Sequence, residues 1–304
     1  MKEQFRSIKF QKKNLILLEK IKEILGEYDE KGIKVTLRQL YYQLVSRDII
    51  ENKISEYSKL SSLLTNARYT GDIDWDAIED RVRIPDIPNI YDDIDQLMRA
   101  AIQSYKKDRW KEQDCYVELW SEKDALSSVI SPITKKYQIP FCVNRGYTSA
   151  SAMYESFRRV IHERAIKNMQ TNKIIILYLG DHDPSGLDMI RDINDRMKEF
   201  IEKNHDIEFI IVPIGLTMEQ IKLYSPPSNP AKTKDPRATG YIEEFGKVSW
   251  EVDALRPEVL QELIKTNILK YLDLEKFEQV QKQEAEEIQQ IKDLAEKIKS
   301  GGEE

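Results

Sequence analysis

A chain of 304 residues, 40% hydrophobic and 33% charged, has the composition of a soluble globular protein and the length for two domains with their own cores. No apolar run reaches a membrane span and no signal-peptide core opens the sequence; Cys115 and Cys142 sit in apolar segments as reduced core residues do. A cytoplasmic protein with no membrane partner is expected. Three scattered histidines, His162, His182 and His205, argue against a His/Cys zinc site. The net charge of −6 hides an asymmetry: residues 1–70 carry 14 Lys+Arg against 9 Asp+Glu, a balance of +5 that leaves −11 for the remainder. A basic amino-terminal part on an acidic body is compatible with DNA binding, and about equally with ordinary solvated helix faces.

Residues 14–25, "NLILLEKIKEIL", place apolar side chains at helical spacing. Thr36 is a plausible N-cap for "LRQLYYQLVSRDII", with Leu37, Leu40, Tyr41, Leu44 and Val45 along one face. Asn52 breaks that pattern, and "ISEYSKLSSLLTNARYTGDI" predicts a third helix studded with hydroxyls. "DWDAIEDRVRIP" reads as a hairpin or irregular wing, and Pro85 and Pro88 close the segment. Three helices and a wing suggest a winged helix whose third helix enters a major groove; a three-helix bundle that binds no DNA is the alternative.

After a helical connector the period changes. "CYVEL" (115–119), "IPFCVN" (139–144), "KIIILYLG" (173–180) and "IEFIIVPI" (207–214) read as strands, with helices at 123–137, 149–169 and 186–203 between them. This alternation predicts an α/β fold with a mainly parallel, doubly wound, Rossmann-like sheet. "SPPSNPAKTKDPRATG" (225–240) reads as a long loop, and from Leu274 onward a charged helix is expected to pack on its own domain, with a partner helix or a short coiled coil as the alternatives. The expected division is a winged-helix domain at 1–88, a connector at 89–113, the α/β domain at 114–273 and a carboxy-terminal helix and tail at 274–304.

Within this frame "LYLGDHDPSGLDMI" ends a strand in two aspartates that flank one residue. Alternation puts Asp181 and Asp183 on one side, where two carboxylates about 4 Å apart repel by roughly 4 kcal/mol at an effective dielectric of 20. His182 should face the other way and pack. In "YVELWSEKDAL", Glu118, Trp120 and Glu122 share a face, with Glu122 at the strand exit. Glu122, Asp181 and Asp183 could meet beyond the carboxyl ends of the sheet and bind Mg²⁺, with Mn²⁺ as a substitute. The bland alternative for Asp183 is a cap on the helix that opens near Ser185.

"SEKDAL" followed by "LGDHDPSG" resembles the Toprim domain of type IIA and type VI topoisomerases, primases and related nucleases. The nearer resemblance is to the topoisomerase VI A subunit and the meiotic double-strand-break transesterases. Their Glu-Lys after the first strand is similar to Glu122-Lys123, and their Asp-x-Asp-Pro-x-Gly to Asp181, Asp183, Pro184 and Gly186. "NRGYTSAS" resembles their Gly-Tyr-Pro segment, with Thr148 in place of proline, and "SWEVDAL" their Glu-x-x-Ala-Leu block through Glu251, Ala254 and Leu255. "RQLYY" resembles the Arg-x-x-Tyr-Tyr of the winged-helix domain that precedes Toprim in those proteins.

The resemblance implies a winged-helix domain followed by a Toprim domain, and a Mg²⁺-dependent cleavage of double-stranded DNA by tyrosine transesterification. Tyr42 would be the nucleophile that becomes 5′-phosphotyrosine; Arg38, one helical turn earlier, and Lys123 would steady the phosphate. Arg68, Lys59 and Arg145 are the candidate backbone contacts. In the relatives a dimer pairs one subunit's tyrosine with the other's metal site, which implies a homodimer, and a separate ATPase subunit is a possible partner. The sequence is shorter than a full topoisomerase A subunit, lacks an extended amino-terminal region for docking an ATPase and has no Walker loop; in this it resembles compact mini-A homologues. From the residues alone, Tyr41 reads as core, while Tyr42 lies off the apolar stripe and is expected to be exposed. A Toprim nuclease acting through activated water, and a DNA-binding protein inactive without a partner, are the alternatives.

Overall fold

The computed structural model describes residues 4–74, 77–79, 90–144, 153–154, 156–161, 172–202, 207–231 and 238–301. The amino-terminal part comprises α1 (Lys12–Glu30), β1 (Val35–Thr36), α2 (Leu37–Ser46), α3 (Ile54–Tyr69) and β2 (Ile78–Glu79). Thr36 caps α2 in a reciprocal box with Gln39: its side chain accepts from the Gln39 N–H while the Gln39 side chain accepts from the Thr36 N–H. α2 stops at Ser46, short of the expected "RDII", because Asp48 turns into the left-handed region at φ 55°. The short strands β1 and β2 pair in parallel, Val35 with Ile78 and Thr36 with Glu79. Most of the expected wing, residues 75–76 and 80–85 of 74–85, lies outside the described residues.

A four-stranded parallel sheet follows α4 (Ile94–Ser104), built from β3 (Tyr116–Ser121), β4 (Phe141–Val143), β5 (Lys173–Leu179) and β6 (Glu208–Gly215). Its order is β4-β3-β5-β6, so the α/β, Rossmann-like architecture read from the sequence is present. Strand alternation sorts the side chains into two layers. Val117, Leu119, Ile175, Leu177 and Leu179 face α5 (Ser127–Tyr137) and a helix at Pro257–Leu269. Tyr116, Trp120, Ile174, Ile176 and Tyr178 face the opposite layer, with Met189, Ile193 and Met197 of the helix Pro184–Glu202. The first layer is continuous with the amino-terminal helices: Leu18, Leu40, Leu44 and Leu64 belong to the same apolar cluster as Val252, Leu260 and Ile264.

Three segments differ from the sequence reading. The described part of the expected loop, residues 225–231 and 238–240, is not structureless: Asn229–Pro230 (β7) pairs antiparallel with Val248–Ser249 (β8), and a helix begins at Ala238. The helices Met218–Tyr224 and Pro257–Leu269 were not anticipated. The helix Leu274–Gly301 is present, anchored on the body by buried Phe277 and by Glu284, which accepts from Arg109 Nη2 at 2.9 Å. Among the described residues no helix is long and apolar enough to cross a membrane.

Candidate active site

The chain leaves β3 for β4 on one side and returns to β5 on the other, so the topological switch lies between β3 and β5. Open α/β sheets bind ligands in the crevice beyond the carboxyl ends of the strands at such a switch. Glu122 and Asp181 stand there. The Glu122 N–H donates to the Leu179 carbonyl at 3.0 Å, and the Asp181 N–H faces Glu122 Oε2 at 3.4 Å.

β5 ends at Leu179, and a second main-chain contact extends the alternation beyond it. His182 and Trp250 form an antiparallel bridge, with N–H to carbonyl distances of 2.9 and 3.1 Å in the two directions. Asp181 and Asp183 therefore flank a paired residue, and both are buried. The His182 ring packs on the other side, with Nδ1 at 2.9 Å from Tyr241 Oη and its face edge-on to Phe245. Burial lowers its basicity.

Asp183 does cap the following helix. Its Oδ1 accepts from the Gly186 N–H and the Ser185 hydroxyl, each at 2.7 Å. Gly186 is required here because a Cβ would lie 2.2 Å from the Asp181 carbonyl oxygen. Asp181 Oδ1 accepts from the Val252 N–H at 2.9 Å, and its Oδ2 pairs with Lys123 Nζ at 2.7 Å.

Lys123 also reaches Glu251 Oε2 at 3.1 Å and Asp253 Oδ1 at 4.0 Å. Arg38, from α2, pairs with Glu251 and lies 2.7 Å through Nε from Asp253 Oδ2. Three carboxyl groups, Asp181, Glu251 and Asp253, thus share two cations, with Glu122 next to Asp181. Burial, with Asp181 beside it, pushes Glu122 up to about 7. Burial likewise pushes Asp253 up to about 6 against the pull of Lys123 and Arg38. Glu251 is also penalised by burial, but Lys123 and Arg38 outweigh that and hold it below the usual carboxylate range.

Tyr42 enters the same space. Its hydroxyl accepts from Asn229 Nδ2 at 3.3 Å, and that amide also donates to Glu251 Oε1 at 3.3 Å. The Arg38 guanidinium carbon is 5.9 Å from the Tyr42 ring centroid. The expected exposure of Tyr42 is wrong: it is only 3% exposed. Helical position gave it no place in the apolar stripe, but β7 and the segment around Glu251 cover it from the other end of the chain. Burial, with Glu251 and Asp253 nearby, makes its phenol harder to ionise. Tyr41 is core as expected, and its hydroxyl donates to Asn52 Oδ1 at 3.0 Å.

A cavity of about 510 Å³ opens onto Arg38, Tyr42, Asp183, Asn229 and Glu251. Glu122, Lys123 and Asp181 do not line it; Lys123 reaches it through Glu251, and Asp181 bridges Lys123 and Glu122. Glu118 is not part of the site: it is fully buried, accepts from Tyr116 Oη at 2.6 Å and Trp120 Nε1 at 2.7 Å, and pairs with Arg159. Lys59 stands on the outer face of α3 beside Glu56, 2.7 Å away. Arg68 turns inward, its Nη2 donating to the Ile78 carbonyl at 2.8 Å. Arg145 lies outside the described residues. Asn229 and Asp253 were missed by the sequence reading. Asp253 sat in a quoted block but carried no role, and a Pro-rich loop gave no signal for Asn229.

The donor chemistry fits a hard dication. The crevice is rich in carboxylate oxygens, and neither oxygen of buried Asp253 makes a directed hydrogen bond. The placement is not a ready ligand set, because Lys123 holds Asp181 and the helix cap uses one oxygen of Asp183; among the described residues no three His, Cys, Asp or Glu side chains are grouped to hold a metal ion. Comparisons with family models, with characterised proteins and with solved structures find no match.

Proposed function

We propose that this chain is a Mg²⁺-dependent DNA-cleaving enzyme that works by tyrosine transesterification. The carrying observation is that Tyr42 and Arg38, from the amino-terminal helices, line one cavity with Asp183 and Glu251 from the sheet exit. In this reading the amino-terminal helices are a winged-helix DNA-binding unit and the α/β part is a Toprim domain. Lys59 and further basic side chains contact backbone phosphates. The assembly is a homodimer on double-stranded DNA in the cytoplasm, with an ATPase subunit as an optional partner.

The chemistry follows from the side chains. Tyr42 Oη attacks a backbone phosphorus, the bond to the 3′ oxygen breaks, and a 5′-phosphotyrosyl ester and a free 3′ hydroxyl result. Reaching phenolate at neutral pH costs about 4 kcal/mol for an ordinary tyrosine, and burial adds to it. Asn229 Nδ2 points at the oxygen where that charge develops. Arg38 is placed to grip the phosphate once substrate competes with its own acids. Glu122, Asp181 and Asp183 would hold the magnesium ion, which when bound supplies positive charge beside the transferring phosphoryl group.

One observation favours a hydrolytic Toprim nuclease instead: Tyr42 is buried and resists ionisation, whereas Glu122, held up to about 7, is suited to take a proton from water. Trapping with denaturant separates the two. The proposed reaction leaves protein covalently joined to DNA 5′ ends, and Tyr42→Phe abolishes both adduct and cleavage. Cleavage that survives Tyr42→Phe but not Asp181→Ala establishes hydrolysis.

A further inference from the structure

We infer that a second cavity binds a mononucleotide by its phosphate: the space of about 530 Å³ lined by Gln43, Arg47 and Arg256 at the start of the helix Pro257–Leu269. It shares no lining residue with the cavity around Tyr42 and Asp183, so the inference stands whether or not the chain cuts DNA.

The helix end supplies open donors. Pro257 has no N–H and the N-cap Arg256 makes no side-chain cap, so the Glu258 and Val259 N–H groups have no acceptor among the described residues. The first hydrogen bond of this 13-residue helix runs from the Leu260 N–H to the Arg256 carbonyl at 3.1 Å. Such an end, at the positive pole of the helix dipole, favours phosphate. Glu258, the acid of that first turn, is turned to Lys31 at 2.5 Å. Gln43 points to a ligand independently. It stands in the cavity wall, is 1% exposed, and its Nε2 has no hydrogen-bond partner among the described residues. An enclosed amide without an acceptor is costly, and a phosphate oxygen supplies one.

Two guanidinium groups stand at the same space. Arg256 is exposed, and no carboxylate of a described residue pairs with it. Arg47 holds Glu27 through Nη1 at 2.9 Å and Nη2 at 2.6 Å, a partly exposed pair that contributes little. Both arginines lie close enough to the Tyr28 phenol to favour its ionised form, although burial outweighs them. Glu27 is the one acid on the wall, so two cations face one carboxylate, and a phosphate monoester can take its place on Arg47. The rest of the ligand follows from Tyr224, also on the wall, which is 37% exposed and packs on no other described ring. A nucleobase stacks on such a face, and the volume is that of a small-molecule site. The same phosphate and base arrive as a free mononucleotide or as the phosphorylated end of a strand.

Calorimetric titration of the full chain with adenosine 5′-monophosphate, without divalent cations, tests this. One nucleotide per chain is expected, with adenosine and inorganic phosphate each binding about tenfold more weakly or worse. Arg256→Ala should lose about tenfold in affinity, one charge-assisted hydrogen bond. Glu27→Gln, which frees Arg47, should gain about threefold, the worth of an exposed ion pair. A gain separates a ligand site from a folding effect. No binding at millimolar nucleotide, or unchanged affinity in both variants, overturns the inference. So does an affinity that Arg38→Ala removes and Arg256→Ala leaves intact, since the nucleotide then sits in the cleavage cavity. A 5′-phosphorylated trinucleotide that displaces the mononucleotide supports a strand end as the ligand, and one that fails to displace it supports the free nucleotide.

Discussion

The guanidinium of Arg38 and the carboxylate of Asp253 approach to 2.7 Å, and the aspartate side chain is wholly enclosed. Arg38→Ala removes the near counter-ion from a buried acid. A wholly buried pair broken in this way costs roughly 3–5 kcal/mol; Arg38 itself keeps 40% exposure, so about 2 kcal/mol is expected. Because Asp253 is held up to about 6, the loss shrinks when the acid can protonate. Urea titrations should show a larger destabilisation at pH 8 than at pH 5. An equal loss at both values would mean that Asp253 does not feel Arg38.

The Asn229 amide donates to the Tyr42 oxygen, and it also holds Glu251. Asn229→Ala should slow adduct formation about tenfold, the worth of one hydrogen bond of about 1.4 kcal/mol in the transition state. Asn229→Asp should cost more, about a hundredfold, because it puts an acceptor and a negative charge beside the developing phenolate. The rate of adduct formation under single-turnover conditions measures both. If the two variants lose equally, Asn229 acts through folding alone.

The sheet was legible in the sequence because buried parallel strands read as continuous apolar runs: "KIIILYLG" (173–180) overshoots the strand Lys173–Leu179 by one residue. The α2 start was legible for a local reason, the box between Thr36 and Gln39. Glu122, Asp181 and Asp183 were legible as strand exits, and the cap on Asp183 turned out to coexist with its place in the cavity. Tyr42 was misjudged because its burial comes from Asn229 and Glu251, and helical periodicity reports only the helix's own face. Asp253 and Asn229 were invisible for the same reason. Their significance lies in what distant segments bring to them.

Magnesium should stabilise the protein through its acids before any DNA is present. At ten times its dissociation constant a ligand that binds only the folded state contributes about 1.4 kcal/mol, and Tm should rise by roughly 2–4 °C. The Glu122→Gln, Asp183→Asn double variant should lose the shift, since the remaining Asp181 is paired with Lys123 at 2.7 Å. Calorimetry with magnesium, and with manganese in parallel, measures it. An undiminished shift in the double variant would place the ion elsewhere on the molecule.

Glu122 should make stability depend on pH in a direction opposite to most carboxylates. Its ordinary value is 4.5, and burial, with Asp181 next to it, raises it to about 7 in the folded chain. The folded state therefore binds more protons than the unfolded state between those values, and stability falls as pH rises through that window. The stabilisation is complete below about 4.5 and gone above about 7; a shift of this size corresponds to at most about 3 kcal/mol. Asp253, held up to about 6, adds a slope of the same sign at the lower end, and this remains when Glu122 is replaced. Glu122→Gln, which is neutral at every pH, should therefore gain on wild type as pH rises from 5 to 8 in urea titrations without divalent cations. A constant difference between the two proteins across that range would show that Glu122 titrates as an ordinary exposed glutamate.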